Sequence, residues 1–193
     1  LKRLFMNPPI RAEAGLLYGQ LARQARLAEF YTRLGVPDSI DGRFEMLCVH
    51  AHALFHRLRG QGAEADQLAQ AVYDAMFLDL DGSLRELGVA DLGVGRRIKV
   101  MTEALKGRLQ AYDTALANMG AATGAGAEQA LRDAIARNVY GTVAPRPEQV
   151  AAMAGYLRAL RAALAGASLA DLAAGRLHFP PPPQVEEGQD APR

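Results

Sequence analysis

Apolar residues recur at spacings of three and four along most of the chain, the period of helices with one buried face. Leu17, Leu21, Ala25, Ala28 and Tyr31 form the first such stripe and predict a helix from about Ala14 to Leu34. Gly35 and Pro37 end it, since Gly35 can take positive φ and Pro37 disfavours helix at Val36. Asp38 is placed to cap a second helix, with Asp41 in its first turn near free N–H groups. That helix carries Phe44, Leu47, Cys48, Ala51, Leu54, Phe55 and Leu58 on one face and stops at Gly60. A third runs from near Glu64 through Leu68, Val72, Met76, Leu80 and Leu84 to Gly88. A fourth follows the link 89–92, with Ile98, Met101, Leu105, Leu109, Tyr112 and Leu116 in register. Beyond a Gly/Ala-rich link at 120–126, expected to be flexible, a shorter helix spans about 127–140. Another begins near Pro147 and runs to about Ala165, and Ser168 with Asp171 forms a capping-box start for a last short turn.

This pattern predicts an all-α fold of about six to seven helices in a single domain. The domain is expected over residues 13–178, preceded by a basic arm at 1–12. Residues 179–193, which open on four prolines at 180–183 and turn acidic, are expected to be extended and disordered.

Composition supports the helical reading. The chain has 37 Ala and 26 Leu against 10 Val and 4 Ile, so strand-favouring β-branched residues are scarce. The single cysteine, Cys48, permits neither an intrachain disulfide nor a cysteine-based zinc site. No apolar run approaches the ~18 residues of a membrane span. The net charge of +1 excludes a strongly polyelectrolyte protein, and no DNA partner is expected. It also conceals local excesses: residues 1–33 and 93–112 each carry +4. If both lie on one surface, that surface suits anionic lipid or RNA. With 3 Lys against 19 Arg, the composition fits a bacterium with a GC-rich genome.

Residues that could carry chemistry are few. His52 and His56 are four apart and share a helical face, while His50 points elsewhere. A third ligand would have to come from another helix, and the glutamate of a zinc-protease helix is missing. The plainer reading places His52 and His56 at the surface and His50 at a packing boundary. Asp79 lies beside an apolar stripe and is expected to be a buried or half-buried partner of an arginine or of a free helix N-terminus; Asp81 faces Arg85 at i+4. A metal-dependent enzyme using His50, His52 and Asp79 is the remote alternative. Gly93-Val94-Gly95 before Arg96-Arg97 lacks the full phosphate-loop spacing. These features indicate neither an enzyme nor a bound cofactor or metal.

Two stretches go beyond composition. One runs from Phe30-Tyr31 through Leu34-Gly35-Val36-Pro37 and Asp41-Gly42-Arg43-Phe44 to His50. The other contains Asp79, Asp81, Leu84-Arg85, Gly88 and Asp91, and continues to Lys99. With Asn138-Val139-Tyr140-Gly141, they make residues 18–140 resemble the ubiquinol–cytochrome c chaperone family. The resemblance implies a non-catalytic, all-α assembly factor of the cytochrome bc1 complex that holds newly made apo-cytochrome b or an assembly intermediate. It carries Phe30, Tyr31, Leu34, Gly35, Pro37, Asp41, Arg43, Phe44, His50, Asp79, Asp81, Arg85, Asp91 and Lys99 over as client-binding or motif residues. Gly82 and Lys106 depart from the family pattern, the latter standing where an aromatic is common. The expected location is cytoplasmic, peripheral at the inner membrane, with the ribosome or membrane surface as a further partner. A generic helical scaffold or an RNA-binding module is the competing reading.

Overall fold

A computed structural model describes residues 8–121 and 125–185. They form α1 (Pro8–Ala25), α2 (Ala28–Thr32), α3 (Ile40–Leu58), α4 (Ala63–Glu86), α5 (Asp91–Ala121), α6 (Ala125–Val139), α7 (Pro147–Ala165) and α8 (Leu169–Ala173). No strand occurs among the described residues, so the all-α expectation holds. Six of these helices are long, and α2 and α8 are single turns. The first part of the expected basic arm, the centre of the 120–126 link and the acidic end of the tail lie outside the described residues.

Helix α3 is the axis of the domain. It packs against α1, α4, α5, α6 and α7, while α1 lies along α4 and α5 along α6. With neighbours on every side, α3 is buried all round from Phe44 to Leu54. The one-faced pattern read from the sequence captured only part of this. Glu45, Met46, Val49, His50, His52 and Ala53 are buried as well.

The start of α3 is set by a close contact. Ser39, not Asp38, caps it: its hydroxyl accepts a hydrogen bond from the Gly42 N–H at 3.1 Å. Asp38 turns outward to Arg43 at 2.6 Å. Gly35, at φ 68°, reverses the chain before the helix, as its position predicts. The Pro37 carbonyl then rests so close to Gly42 that a Cβ there would stand 1.9 Å from its oxygen.

The segment read as one helix to Leu34 is two. The helix breaks at Leu27, whose backbone is extended at φ −60°, ψ 132°. The Tyr31 hydroxyl donates to the Ala25 carbonyl at 2.8 Å, satisfying a group the break would strand. The break turns Phe30 and Leu34 into the core, where both are fully buried.

At the other end the capping box holds: Ser168 Oγ accepts from the Asp171 N–H at 3.1 Å, and Ser168 N–H donates to Asp171 at 3.4 Å. The chain then runs back across α1. Leu177, Phe179 and Val185 pack against the core, and Gln24 donates to the Pro180 carbonyl at 3.1 Å. Residues 179–185 are thus a docked extended segment, where a disordered one was expected. Helix α1 likewise begins at Pro8, inside the expected arm, because proline is well tolerated in a first helical turn.

Candidate client-binding groove

A groove of about 310 Å³ opens where the first turn of α3, the middle of α5 and the end of α6 meet. Phe44, Met101 and Val139 give it apolar walls, and Val100, 62% exposed, stands at its lip. Its rim is charged: Arg97 reaches across from α5 to Asp41 at 3.0 Å, and Arg137 stands on the α6 side. Such an apolar trough with a polar edge can hold a short apolar segment of another chain.

Beneath the rim lies an ion pair whose second member the sequence did not reveal. Arg108 of α5 makes a two-pronged contact with Glu45 of α3, Nη2 to Oε1 at 2.7 Å and Nε to both oxygens at 3.1 Å. Burial pushes the Glu45 carboxyl up, and Arg108 pulls it only part of the way back. Glu45 sits within the apolar run Phe44–Leu47, and a charge there was the one available hint that it needed a partner. Replacing Arg108 with methionine should cost about 2 kcal/mol, because it strands a nearly buried carboxylate. The Glu45→Met/Arg108→Met double variant should recover most of that loss in urea titrations.

The histidines separate into two networks. His50 is fully buried. Its Nδ1–H donates to the Met46 carbonyl at 2.8 Å, and its Nε2 accepts from the Tyr156 hydroxyl at 2.8 Å. Gln24 of α1 donates to that hydroxyl at 3.1 Å, and Phe30 and Phe179 present ring edges to the imidazole. The residue therefore ties α1, α2, α3, α7 and the C-terminal segment together. His52 corrects the sequence reading: it is buried, 1% exposed, because α5 covers it with Tyr112 and Asp113. His56 is at the surface, as read. Both converge on Asp113, His52 at 2.9 Å and His56 at 3.3 Å. The other carboxylate oxygen takes Arg59 at 2.7 Å, and Arg161 closes on His56. Asp113 is thereby held below the usual carboxylate range, chiefly by Arg59 and His52 acting against its burial. Two guanidinium groups occupy the space around the imidazoles, and among the described residues no three His, Cys, Asp or Glu side chains converge as a metal cluster.

The motif residues divide by exposure. Phe30, Leu34, Phe44 and His50 are buried, and Tyr31 and Pro37 are half-buried. Of these, Pro37 and Phe44 line the groove, together with Asp41 from the same motif. Arg43 is exposed and held by Asp38. Asp79 is half-buried and accepts from Tyr18 at 2.6 Å and Arg26 at 3.2 Å, so of the two partners its position allows, an arginine or a helix N-terminus, it takes the arginine. It belongs to the α1–α4 seam, whereas His50 and His52 sit in the two networks above. Asp81 and Asp91 both hold Arg85, at the turn between α4 and α5. Lys99 is exposed on α5. Asn138, Val139 and Gly141, from the third matching stretch, line the groove opposite Pro37. Their proximity, across about a hundred positions of sequence, was invisible before folding.

An all-helical domain with a charged-rim groove between α3, α5 and α6 describes the class of protein. The sequence profile of the ubiquinol-cytochrome C chaperone family matches residues 32–179, and the chain belongs to that family. The match starts later than residue 18 and runs beyond residue 140, through α7 and α8 to Phe179. Among solved structures, the chain is similar to the crystal structure of the Cbp3 homolog from Brucella abortus. The two are 34% identical over 92% of this chain and 94% of that one, with a TM-score of 0.77. No curated protein matches the chain significantly. Among the described residues no helix is long and apolar enough to cross a membrane.

Proposed function

We propose that this chain is a non-enzymatic assembly chaperone of the cytochrome bc1 complex, and that the α3–α5–α6 groove receives an apolar segment of newly made cytochrome b. Membership of the chaperone family and similarity to the Cbp3 homolog support the role. The observation that carries the site is the meeting of two separate family-like stretches there, Pro37–Phe44 and Asn138–Gly141. A chaperone must release its client, and a short open trough suits that need. It buries few side chains, while the paired rim charges exclude strongly charged segments.

Val100 is the chosen probe, because its side chain is 62% exposed at the groove's lip. Covering such a side chain contributes about 1.5–3 kcal/mol, so Val100→Asp should lower capture of cytochrome b by roughly tenfold or more. A photo-crosslinker at position 100 should trap cytochrome b in cells, and one at exposed Leu16 on α1 should not. Normal levels of assembled bc1 complex in a deletion strain would overturn the role. Equal trapping at both positions would overturn the groove.

A further inference from the structure

We propose that the α4–α5 corner is a docking surface for an anionic lipid bilayer. The turn between the two helices closes with the Val89 N–H donating back to the Leu84 carbonyl at 3.1 Å, which tucks Val89 inward. The leucines on either side are left outside, Leu87 at 62% and Leu92 at 94% exposure. Two large apolar side chains standing free at a tight, hydrogen-bonded turn cost the protein solubility, and they fit an interface that accepts them.

Charge says which interface. Arg96, Lys99 and Lys106 follow Leu92 on α5 at spacings of four, three and seven, so they line one outward stripe. None of the three has an ion-pair partner among the described residues, whereas their neighbours Arg97 and Arg108 are bound to Asp41 and Glu45. The stripe thus holds three free cations against one carboxylate, Glu103. At the turn itself Asp91 and Asp81 are held by Arg85, which leaves exposed Glu86 as the other nearby acid. Leucines at a tip with cations behind them match the layering of a membrane face, with acyl chains beneath phosphate groups. Nucleic acid offers phosphates but nothing for the leucines, and the corner presents no exposed aromatic ring for base stacking.

This inference stands apart from the client reading, and the assay contains no client. The two are nevertheless compatible: Val100 lies eight residues from Leu92 on α5, about 12 Å at the rise of a helix. Docking would therefore hold the groove near the bilayer surface.

The chain contains no tryptophan, so Leu92→Trp places a single fluorescent reporter at the tip. Its emission should shift to the blue with vesicles of phosphatidylcholine mixed with phosphatidylglycerol, and stay unchanged with phosphatidylcholine alone. Leu16→Trp, on α1, should not respond. Arg96→Gln and Lys99→Gln should each weaken binding about fivefold, and raised salt should weaken it further. No shift with anionic vesicles, or an equal shift at Leu16, overturns the proposal. So does binding of RNA through the same cations without binding of vesicles.

Discussion

Replacing Gly42 with alanine should destabilise the domain by about 3 kcal/mol or more, a large loss for a single methyl group. The direction is not what helix chemistry alone suggests. Alanine in place of an interior helical glycine normally stabilises by about 1 kcal/mol. Here the added Cβ would lie 1.9 Å from the Pro37 carbonyl oxygen and 2.9 Å from its carbon, and neither is a side chain that can swing aside. Relief requires α3 to draw back from the Gly35–Pro37 reversal, and α3 is the helix against which five others pack. Gly107 on α5 is the matching control, since a Cβ there meets nothing within 4 Å. Gly107→Ala should leave stability unchanged or slightly raised. Thermal unfolding of the two variants beside the parent protein checks both signs. Gly42→Ala with a parental melting temperature would show that this contact does not constrain the fold.

The second large effect is loss of stability in mild acid. His50 and His52 are both pushed down to about 4, chiefly because burial penalises the charged ring. For His52 the Asp113 carboxylate opposes that shift without overcoming it, while Arg161 and His56 add to it. In the unfolded chain both imidazoles titrate near 6.5. Below that pH the unfolded state binds protons that the folded state refuses, so folding weakens as pH falls from about 6.5 towards 4. Each histidine accounts for roughly 3 kcal/mol by the bottom of that window. Asp113, held below its usual range, adds its own loss only at lower pH. Glu45 works the other way, since its raised carboxyl protonates more readily in the folded chain. Urea midpoints measured from pH 7 to pH 4 should fall steeply, and His50→Gln should shallow the slope. A flat profile over this range would contradict the buried, neutral state of these rings.

These two results rest on different amounts of sequence information. Gly42 and His50 both lie in the stretch that identifies the family, yet nothing in their spacing separates a packing residue from a client contact. Burial separates them: Phe30, Leu34 and His50 lie in the interior, while Asp41 stands on the groove rim. The opposite error occurred at His52. A polar residue four before an exposed histidine reads as surface until α5 is laid over it. Asp79 was legible in part, because a carboxylate beside an apolar stripe needs a cation or a free helix N-terminus nearby. That the cation is Arg26, 53 positions away, was not.

Sequence alone sets most of the helices, because the three-to-four spacing of apolar residues, the Gly and Pro stops and the Ser168 cap act within a few residues of one another. It also determined the family, through long ordered stretches that few unrelated chains share. Packing had to settle that α3 is central and buried on every side, that the first helix breaks at Leu27, and that the segment after Gly175 docks on α1. It alone brought Pro37–Phe44 and Asn138–Gly141 to one groove, and left Leu87 and Leu92 exposed, and Arg96 and Lys99 without ion-pair partners among the described residues, on another face. Local propensity acts over one or two turns of chain. Burial, ion pairing and exposure depend on which distant helix arrives alongside, and that is settled only when the core packs.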